Sequence, residues 1–246
     1  MVESFIAPSV GNTIISRLPK NEAKLLCHAV SVVTLSRGQV LVQRGGEVEF
    51  AHFLESGAVS LSIDLDERHR VGFALVGREG IVEALTLLGI GDRSTYHVVV
   101  EIPGKAYRVQ MAQLRTILDN SSVLRHLCKC YTQFLALQAA QLAACNARHV
   151  VPQRLAFWLL TSCDRVGSDD VLVTQDFLSM MLGVRRASVS QTVNKLRARH
   201  IIRYDYGRLE LRDRRALEGH CCQCYPVIQE RLQDVTNQCD SALRGR

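Results

Sequence analysis

The chain has 246 residues, of which 47% are hydrophobic and 22% charged, with a formal net charge of +6. This composition can bury a core, so it excludes wholesale disorder and fibrous architectures, and the length suits about two domains. There is no run of about 18 apolar residues to predict a membrane span. The first twelve residues lack the basic patch and apolar stretch of an export signal. We therefore expect a cytoplasmic protein without membrane contacts.

The nine cysteines are scattered along the chain. An odd number without an export signal argues against a disulfide framework and favours free, mostly buried thiols. The densest group is Cys221, Cys222 and Cys224 beside His220, with Cys239 further along. Thiolates this close together can bind a soft metal. The alternative is an ordinary core position on a C-terminal helix, and we assign no metal ligand from the sequence.

Residues 30–110 predict short strands separated by glycines. The segments 30–35, 39–43, 51–56, 58–64, 70–76, 97–102 and 105–109 alternate or run apolar and are rich in valine. Strands at even spacing with turn residues between them favour an antiparallel sandwich or jelly roll. Strands and helices do not alternate, which argues against a nucleotide-binding parallel sheet.

Residues 111–120 predict a short helix, and a helix of about 27 residues follows, with Ser122 as its N-cap. Its apolar stripe has three- and four-residue spacing and consists of Leu124, Leu127, Tyr131, Phe134, Gln138, Leu142 and Cys145. At about 40 Å this helix is longer than one small domain needs. We therefore expect the stripe to pack on a twin helix in a homodimer. The alternative is burial of the stripe against the chain's own sandwich.

Pro152 suits the first turn of a new helix, which we expect to end at Gly167. The predicted domains are thus a sandwich over 1–120, a long dimerisation helix and hinge over 121–150, and a further domain over 151–246. The fold class predicted is α+β.

The segment 171–213 predicts a helix-turn-helix followed by a hairpin. Thr174 is a good N-cap, Leu178 and Leu182 face inward, and Gly183 supplies a left-handed C-cap. A second helix is predicted over about 186–198, and its core face is Val189, Val193 and Leu196. Residues 201–211 predict two short strands joined through Tyr206-Gly207, a hairpin or wing.

This segment carries a concentrated positive charge. Residues 185–215 hold ten basic side chains against Asp205, Glu210 and Asp213, a net +7. Such a patch is typical of a surface that faces a polyanion. Helix, turn, helix and basic hairpin together predict a winged-helix domain that binds double-stranded DNA.

Two sets of contacts are expected on this domain. The major-groove face of the second helix has the side chains that can read base edges: Arg186, Ser188, Ser190, Gln191 and Asn194. Contacts to the DNA backbone, which position the protein, are predicted for Thr174, Gln175, Lys195, Arg197, Arg203 and Arg208.

The order of sandwich, long helix and winged helix resembles the CRP/FNR family of bacterial transcription regulators over nearly the whole chain. The resemblance rests on residues 52–60, Val82-Glu-Ala-Leu and Arg93-Ser94 in the sandwich, and on 174–183 and 186–191 in the C-terminal domain. It implies a cyclic-nucleotide-binding-like β-roll, a homodimer on an inverted-repeat operator, a small effector in the sandwich, and RNA polymerase as a further partner.

This chain departs from both well-known branches of the family. Ala187 and Gln191 stand where those branches have Glu and Arg, so neither familiar operator is expected. The cysteine cluster of the iron–sulfur branch is missing, because only Cys27 precedes Cys128.

The resemblance also implies an effector pocket. In the cyclic-AMP branch a Glu binds ribose and an Arg-Ser pair binds the phosphate, and Glu83 with Arg93 and Ser94 sit at that spacing. Val82 replaces the Gly before that Glu, and Ala139 and Ala140 replace hydroxyl residues at the base. The sequence does not identify the effector or any cofactor.

No nucleophile–base constellation, phosphate-binding loop or metalloprotease motif is present, so no catalytic residue is assigned and an enzyme is not expected. Two other interpretations stay open. One is a cyclic-nucleotide-binding regulatory module without DNA binding, and the other is a thiol- or metal-sensing regulator.

Overall fold

The computed structural model describes residues 11–67, 69–89 and 91–244, with side chains described up to Val235 and at Asn237. Eight strands build the N-terminal domain: β1 (Ser31–Leu35), β2 (Val40–Val42), β3 (Phe50–Leu54), β4 (Ala58–Asp64), β5 (Arg70–Val76), β6 (Ile81–Val82), β7 (His97–Ile102) and β8 (Gly104–Gln110). They form two antiparallel sheets, with strand orders β1-β8-β3-β6 and β2-β7-β4-β5. The predicted β-roll is confirmed.

All seven predicted strands are present. Side chains such as Phe53, Leu61, Leu75 and Val98 are fully or almost fully buried in the domain core. Four short elements were not predicted: β6, which has two residues, and the helices α1 (Thr13–Ser16), α2 (Lys20–Cys27) and α3 (Ala84–Leu87). Elements of this length carry too few residues to show a period.

Two helices follow the sheets, α4 (Met111–Asn120) and α5 (Ser122–Arg148), which has the predicted 27 residues. The predicted N-cap of α5 is wrong by one position. Ser121 is the N-cap, with its Oγ accepting a hydrogen bond from the Leu124 amide at 3.2 Å, and Ser122 is the first helical residue. The Glu22 carboxylate also accepts hydrogen bonds from the amides of Val123 and Leu124 at 3.1 and 3.3 Å. Glu22 therefore caps the same helix from a position far away along the chain, which the local sequence does not show.

The C-terminal domain begins with α6 (Val151–Val166), with Pro152 in its first turn and Gly167 as left-handed C-cap at φ 75°. The remaining elements are β9 (Asp170–Leu172), α7 (Gln175–Leu182), α8 (Arg186–Ala198), β10 (Ile202–Asp205), β11 (Arg208–Leu211), α9 (Arg214–His220) and α10 (Cys224–Arg244). The strands form a sheet in the order β10-β11-β9. Helix α6 lies at the centre of the C-terminal domain, and its residues Leu155, Phe157, Trp158 and Leu159 are all buried.

The apolar stripe of α5 is buried without a partner chain. Helix α10 turns back and packs along α5, and every residue of the stripe is buried within the chain. The prediction that this stripe packs on a twin helix is therefore wrong, and burial within the chain is what the structure shows. The physical reason is that several elements of the same chain cover the stripe: Tyr131 lies against Gly80 and Glu79 of the β-roll, Phe134 lies under Arg165 of α6, and α10 packs alongside. The opposite face of α5 stays exposed and consists of Ala136, Leu137, Ala140, Ala143, Ala144 and Ala147.

The two domains contact each other directly. Helix α7 packs on β5, where a side-chain carbon at Gly72 would lie 2.0 Å from Sδ of Met181. The turn between β4 and β5 and the residues around α7 line a cleft of about 780 Å³. Within the described part of the chain, none of the helices combines the length and the apolarity needed to cross a membrane.

Candidate functional site

The helix-turn-helix is formed by α7 and α8, and its predicted local signals are confirmed. Thr174 Oγ1 accepts a hydrogen bond from the Phe177 amide at 3.1 Å and so caps α7. Gly183 ends the helix at φ 62°, a left-handed conformation that favours glycine. Leu178 and Leu182 are buried. These features fix the angle at which α8 leaves the turn.

Helix α8 has a buried side and an exposed side, as predicted. Val189, Val193 and Leu196 are 0%, 1% and 5% exposed. Thr192 joins them, with its Oγ1 donating to the Ser188 carbonyl at 3.0 Å. The exposed side holds Arg186, Ala187, Gln191, Asn194, Lys195 and Arg197, and Ser188 and Ser190 are half-buried. The helix is thus anchored by one side and presents hydrogen-bonding groups with the other.

Three of the predicted DNA contacts are brought together by Gln175 of α7. Its Oε1 accepts from Ser190 Oγ at 2.6 Å and from Arg186 Nε at 3.5 Å. Arg186 Nε also lies 3.5 Å from Asp176 Oδ1. This arrangement orients Arg186 at the start of α8, where side chains of a helix-turn-helix contact base edges.

The wing is a tight hairpin between β10 and β11. Tyr206 and Gly207 both have positive φ, 46° and 80°, which is the geometry of a type I′ turn. Tyr206 is 99% exposed at its tip. Its position in the turn agrees with the prediction, and no contact was predicted for it.

The two predicted wing cations differ in their surroundings. Arg203 on β10 is exposed. Arg208 on β11 makes a bidentate ion pair with Asp170 of β9, with Nε–Oδ1 2.7 Å and Nη2–Oδ2 2.5 Å. The pair raises the pKa of Arg208 and lowers that of Asp170. Asp170 precedes Arg208 by 38 residues, so no local signal in the sequence could have revealed the pair.

In the β-roll, Glu83 is 1% exposed. Its Oε2 accepts from Thr86 Oγ1 at 2.8 Å and from the Tyr96 hydroxyl at 3.2 Å, while Oε1 has no hydrogen-bond partner. Burial raises the pKa of this carboxyl. Thr86 and Tyr96 were not predicted as neighbours of this carboxyl.

The predicted effector residues do not converge. Arg93 is exposed, and its Nη1 donates to the Gly45 carbonyl at 2.8 Å. Ser94 is buried, and its Oγ donates to the Tyr96 carbonyl at 2.9 Å. Among the described ion pairs, none joins Glu83 to Arg93. Ser94 and Glu83 are both buried and each bonds to Tyr96, whereas Arg93 is exposed on the outside of the roll.

The cysteine group proposed near the C-terminus is only partly correct. His220 is engaged elsewhere, with Nε2 at 2.7 Å from Arg199 Nη1 and Nδ1 at 2.7 Å from the Ala216 carbonyl. Cys239 lies outside the residues whose side chains are described. Cys222 and Cys224 instead meet Cys145 and His149 at the end of α5. The eight cysteines whose side chains are described are all free thiols.

The fold and the helix-turn-helix define a class of protein, a regulator in which a β-roll is joined through a long helix to a DNA-binding domain. A family model described as a cyclic nucleotide-binding domain matches residues 32–121, and one described as a Crp-like helix-turn-helix domain matches residues 153–219. The chain belongs to the CRP/FNR family of transcription regulators.

Solved structures share this fold at low sequence identity. FixK2 from Bradyrhizobium japonicum has a TM-score of 0.67 at 15% identity, covering 78% of this chain and 98% of its own. The c-di-GMP-responsive global regulator CLP of Xanthomonas campestris has 0.63 at 13%, covering 78% and 99%. A putative crp/fnr-family regulator from Eubacterium rectale has 0.61 at 13%, covering 82% and 94%. No curated protein matches the sequence significantly.

Proposed function

We propose that this protein is a homodimeric transcription regulator that binds an inverted-repeat operator in double-stranded DNA. The observation that carries the proposal is the two-sided helix α8, whose apolar side is buried while its polar side is exposed and unobstructed by the rest of its domain. RNA polymerase is proposed as a further partner, and the site of action is the DNA in the cytoplasm.

Base readout is assigned to the exposed side of α8. Arg186 can donate two hydrogen bonds to guanine, and Gln191 and Asn194 can each bind adenine through two. Ser190 and Ser188, which are half-buried, are proposed to contribute at the edge of this face. Ala187 offers only a methyl group, which suits a thymine methyl and not a cytosine amine.

Contacts to phosphates are assigned to the periphery of that face. Lys195, Arg197 and Arg203 are exposed cations, and Thr174 and Gln175 lie at the N-terminus of α7, where backbone amides attract anions. Arg208 is also proposed to contact a phosphate, although it already has a partner. It must exchange Asp170 for a phosphate oxygen, so its net contribution to affinity is smaller than that of Arg203.

The dimer is proposed to form through the exposed face of α5. Leu137 is 45% exposed there, between alanines that permit close approach of a second helix. A second copy of the same helix would bury this apolar face, and a two-fold symmetric dimer presents two copies of α8 to an inverted repeat.

A small effector in the β-roll is part of the proposal, with Glu83, Arg93 and Ser94 as its expected contacts. The outward Arg93 and the buried Glu83 mean that a phosphate ester would bind only after Arg93 leaves the Gly45 carbonyl. The alanines at positions 139 and 140 offer no hydroxyl to a base.

Selection of duplexes from a random pool by the purified full-length protein tests the proposal. We expect enrichment of an inverted repeat with half-sites about one helical turn apart. The double charge reversal Arg186→Glu with Arg203→Glu should abolish enrichment, whereas Lys105→Glu, an exposed reversal on the β-roll, should not. Selections without enrichment, both alone and with cyclic nucleotides added, would contradict the proposal.

A further inference from the structure

Four potential metal ligands meet where α5 ends. Cys145 lies in the last turn of α5, and His149 is its C-cap residue four positions later. Cys222 lies in the segment that joins α9 to α10, and Cys224, two positions later, is the first residue of α10. One ligand atom from each residue lies within 4.8 Å of all the others, and the three cysteines are buried while His149 is half-buried.

The distances between these atoms suit a tetrahedral metal ion. Cys145 Sγ lies 3.5 Å from Cys222 Sγ, and Cys224 Sγ lies 3.6 Å from His149 Nδ1. With Zn–S bonds of about 2.3 Å and Zn–N bonds of about 2.0 Å, tetrahedral geometry separates two sulfurs by about 3.8 Å and sulfur from nitrogen by about 3.5 Å. A disulfide would instead require about 2.05 Å between two sulfurs.

A positive charge and a hydrogen-bond donor lie beside the sulfur atoms. A divalent ion with three thiolates and a neutral imidazole has a net charge of −1, which needs compensation in a buried place. The guanidinium of Arg154, 8% exposed, interacts electrostatically with Cys145 and Cys222. Its Nε is buried without a hydrogen-bond partner. Gln141 Nε2 donates to Cys224 Sγ at 3.1 Å, as outer-shell donors do at metal-bound sulfur.

We propose that Cys145, His149, Cys222 and Cys224 form a four-coordinate site for a zinc-class divalent ion. On metal binding the three thiols release their protons to solvent and the His149 imidazole binds in its neutral form, so no oxidant or reductant is needed. Four protein ligands close the coordination sphere, which is typical of a structural site and not a catalytic one.

The ion would join the end of the long helix to the segment that connects the DNA-binding domain to α10. The same Arg154 donates through Nη2 to the carbonyl of Leu182, the last residue of α7. The site is therefore connected by one side chain to the first helix of the helix-turn-helix. The structural role proposed for the ion, which is to hold these two segments together, does not depend on the proposed operator binding.

Metal analysis of the full-length protein, purified under reducing conditions, tests this proposal. We expect about one equivalent of zinc per chain after reconstitution, and Co²⁺ substitution should give the intense visible bands of a tetrahedral cobalt–thiolate centre. Cys224→Ser and His149→Ala should each weaken zinc affinity about 100-fold or more, and Gln141→Ala about tenfold.

Two control variants change cysteines that are not among the proposed ligands. Cys221→Ser changes the cysteine next to the ligands, and Cys27→Ser changes a distant half-buried cysteine; both should retain the metal. His149→Cys should retain the ion and shift the cobalt bands, which separates lost ligation from lost folding. Zinc below about 0.2 equivalents in the reconstituted wild type would overturn the proposal. So would unchanged affinity in His149→Ala, or a Cys145–Cys222 disulfide in the reduced preparation.

Discussion

Arg165 of helix α6 and Glu79, in the turn after β5, form a buried ion pair with Nε and Oε1 3.2 Å apart. The two side chains are 2% and 9% exposed, and the Arg165 guanidinium lies over the ring of Phe134 with 5.6 Å to its centroid. Glu79 Oε1 also accepts from the Tyr131 hydroxyl at 3.3 Å. A residue of the DNA-binding domain is thus tied to the β-roll and to the long helix at one point.

Removing one partner of this pair should destabilise the whole chain. Arg165→Met leaves Glu79 buried without its counter-charge, so we expect the free energy of unfolding to fall by about 3 kcal/mol. Urea titration followed by circular dichroism measures it. In the double variant Arg165→Met with Glu79→Gln, the loss of unfolding free energy should be smaller than the sum of the two single losses by about 1 to 3 kcal/mol. Additive losses would show that the pair is not coupled.

Gly183 and Gly219 should respond oppositely to alanine. Gly183 has φ 62°, and a side chain there is strained, so Gly183→Ala should lower the free energy of unfolding by about 1 to 2 kcal/mol. Gly219 lies in α9, and nothing is within 4 Å of an added Cβ. Gly219→Ala should therefore be neutral or stabilise by up to about 1 kcal/mol. Thermal unfolding of the two variants side by side is the check, and an equal loss in both would contradict the prediction.

His52 should make stability depend on pH. Burial and the positive charge of Arg108 lower its pKa from 6.5 to about 4. Between these values the unfolded chain binds a proton that the folded chain does not, so stability is present above pH 6.5 and is lost as the pH falls towards 4. From pH 7 to about 4.5 this group accounts for about 2 to 3 kcal/mol.

The measurement is the free energy of unfolding at several pH values in wild type and His52→Leu. The variant should lose less stability over this range by that amount, because it has no imidazole to protonate. His52→Gln, which also removes the imidazole, is the matched control and should reduce the slope by the same amount. Parallel curves for wild type and His52→Leu would disprove the assignment.

The proposed dimer face can be disrupted without touching the core. Ala140→Glu places a charge among exposed apolar side chains of α5, and two copies would face each other across the seam, so the dimer should weaken at least about tenfold. Sedimentation velocity over a concentration series measures this. Leu65→Glu, at a position 70% exposed on the β4–β5 turn, should leave association unchanged. An unaltered dimer in Ala140→Glu would place the seam elsewhere.

Base-reading and backbone-contacting residues should give different patterns of loss. Gln191→Ala is expected to relax preference at one operator position by about 1 to 3 kcal/mol. Arg203→Ala should weaken all sequences alike and reduce the salt slope by about one. Arg208→Ala should also act uniformly, with a smaller loss because Asp170 already neutralises its charge. Binding titrations on operator and single-substitution duplexes distinguish these patterns, and uniform loss in Gln191→Ala would rule out its reading role.

Local signals explain which parts of the fold were predictable. The cap at Thr174, the left-handed Gly183 and the spacing of Val189, Val193 and Leu196 act within one or two helical turns, so the helix-turn-helix was located to the residue. The strands followed from alternation and from glycines between them. The N-cap of α5 was misplaced because two serines are adjacent and the deciding carboxylate, Glu22, lies 99 residues from Ser121.

The sequence by itself determined the class of fold, the order of the domains and the exposed polar face of α8, because propensity, capping and periodicity act between neighbours in the chain. Only the tertiary structure decided which surfaces remain free. It buried the α5 stripe against the β-roll, α6 and α10, and it paired Arg208 with Asp170. It also left Arg93 exposed, away from Glu83, and brought Cys145 and His149 to Cys222 and Cys224. These contacts join residues that are distant along the chain, and packing geometry, which no local pattern encodes, selects them.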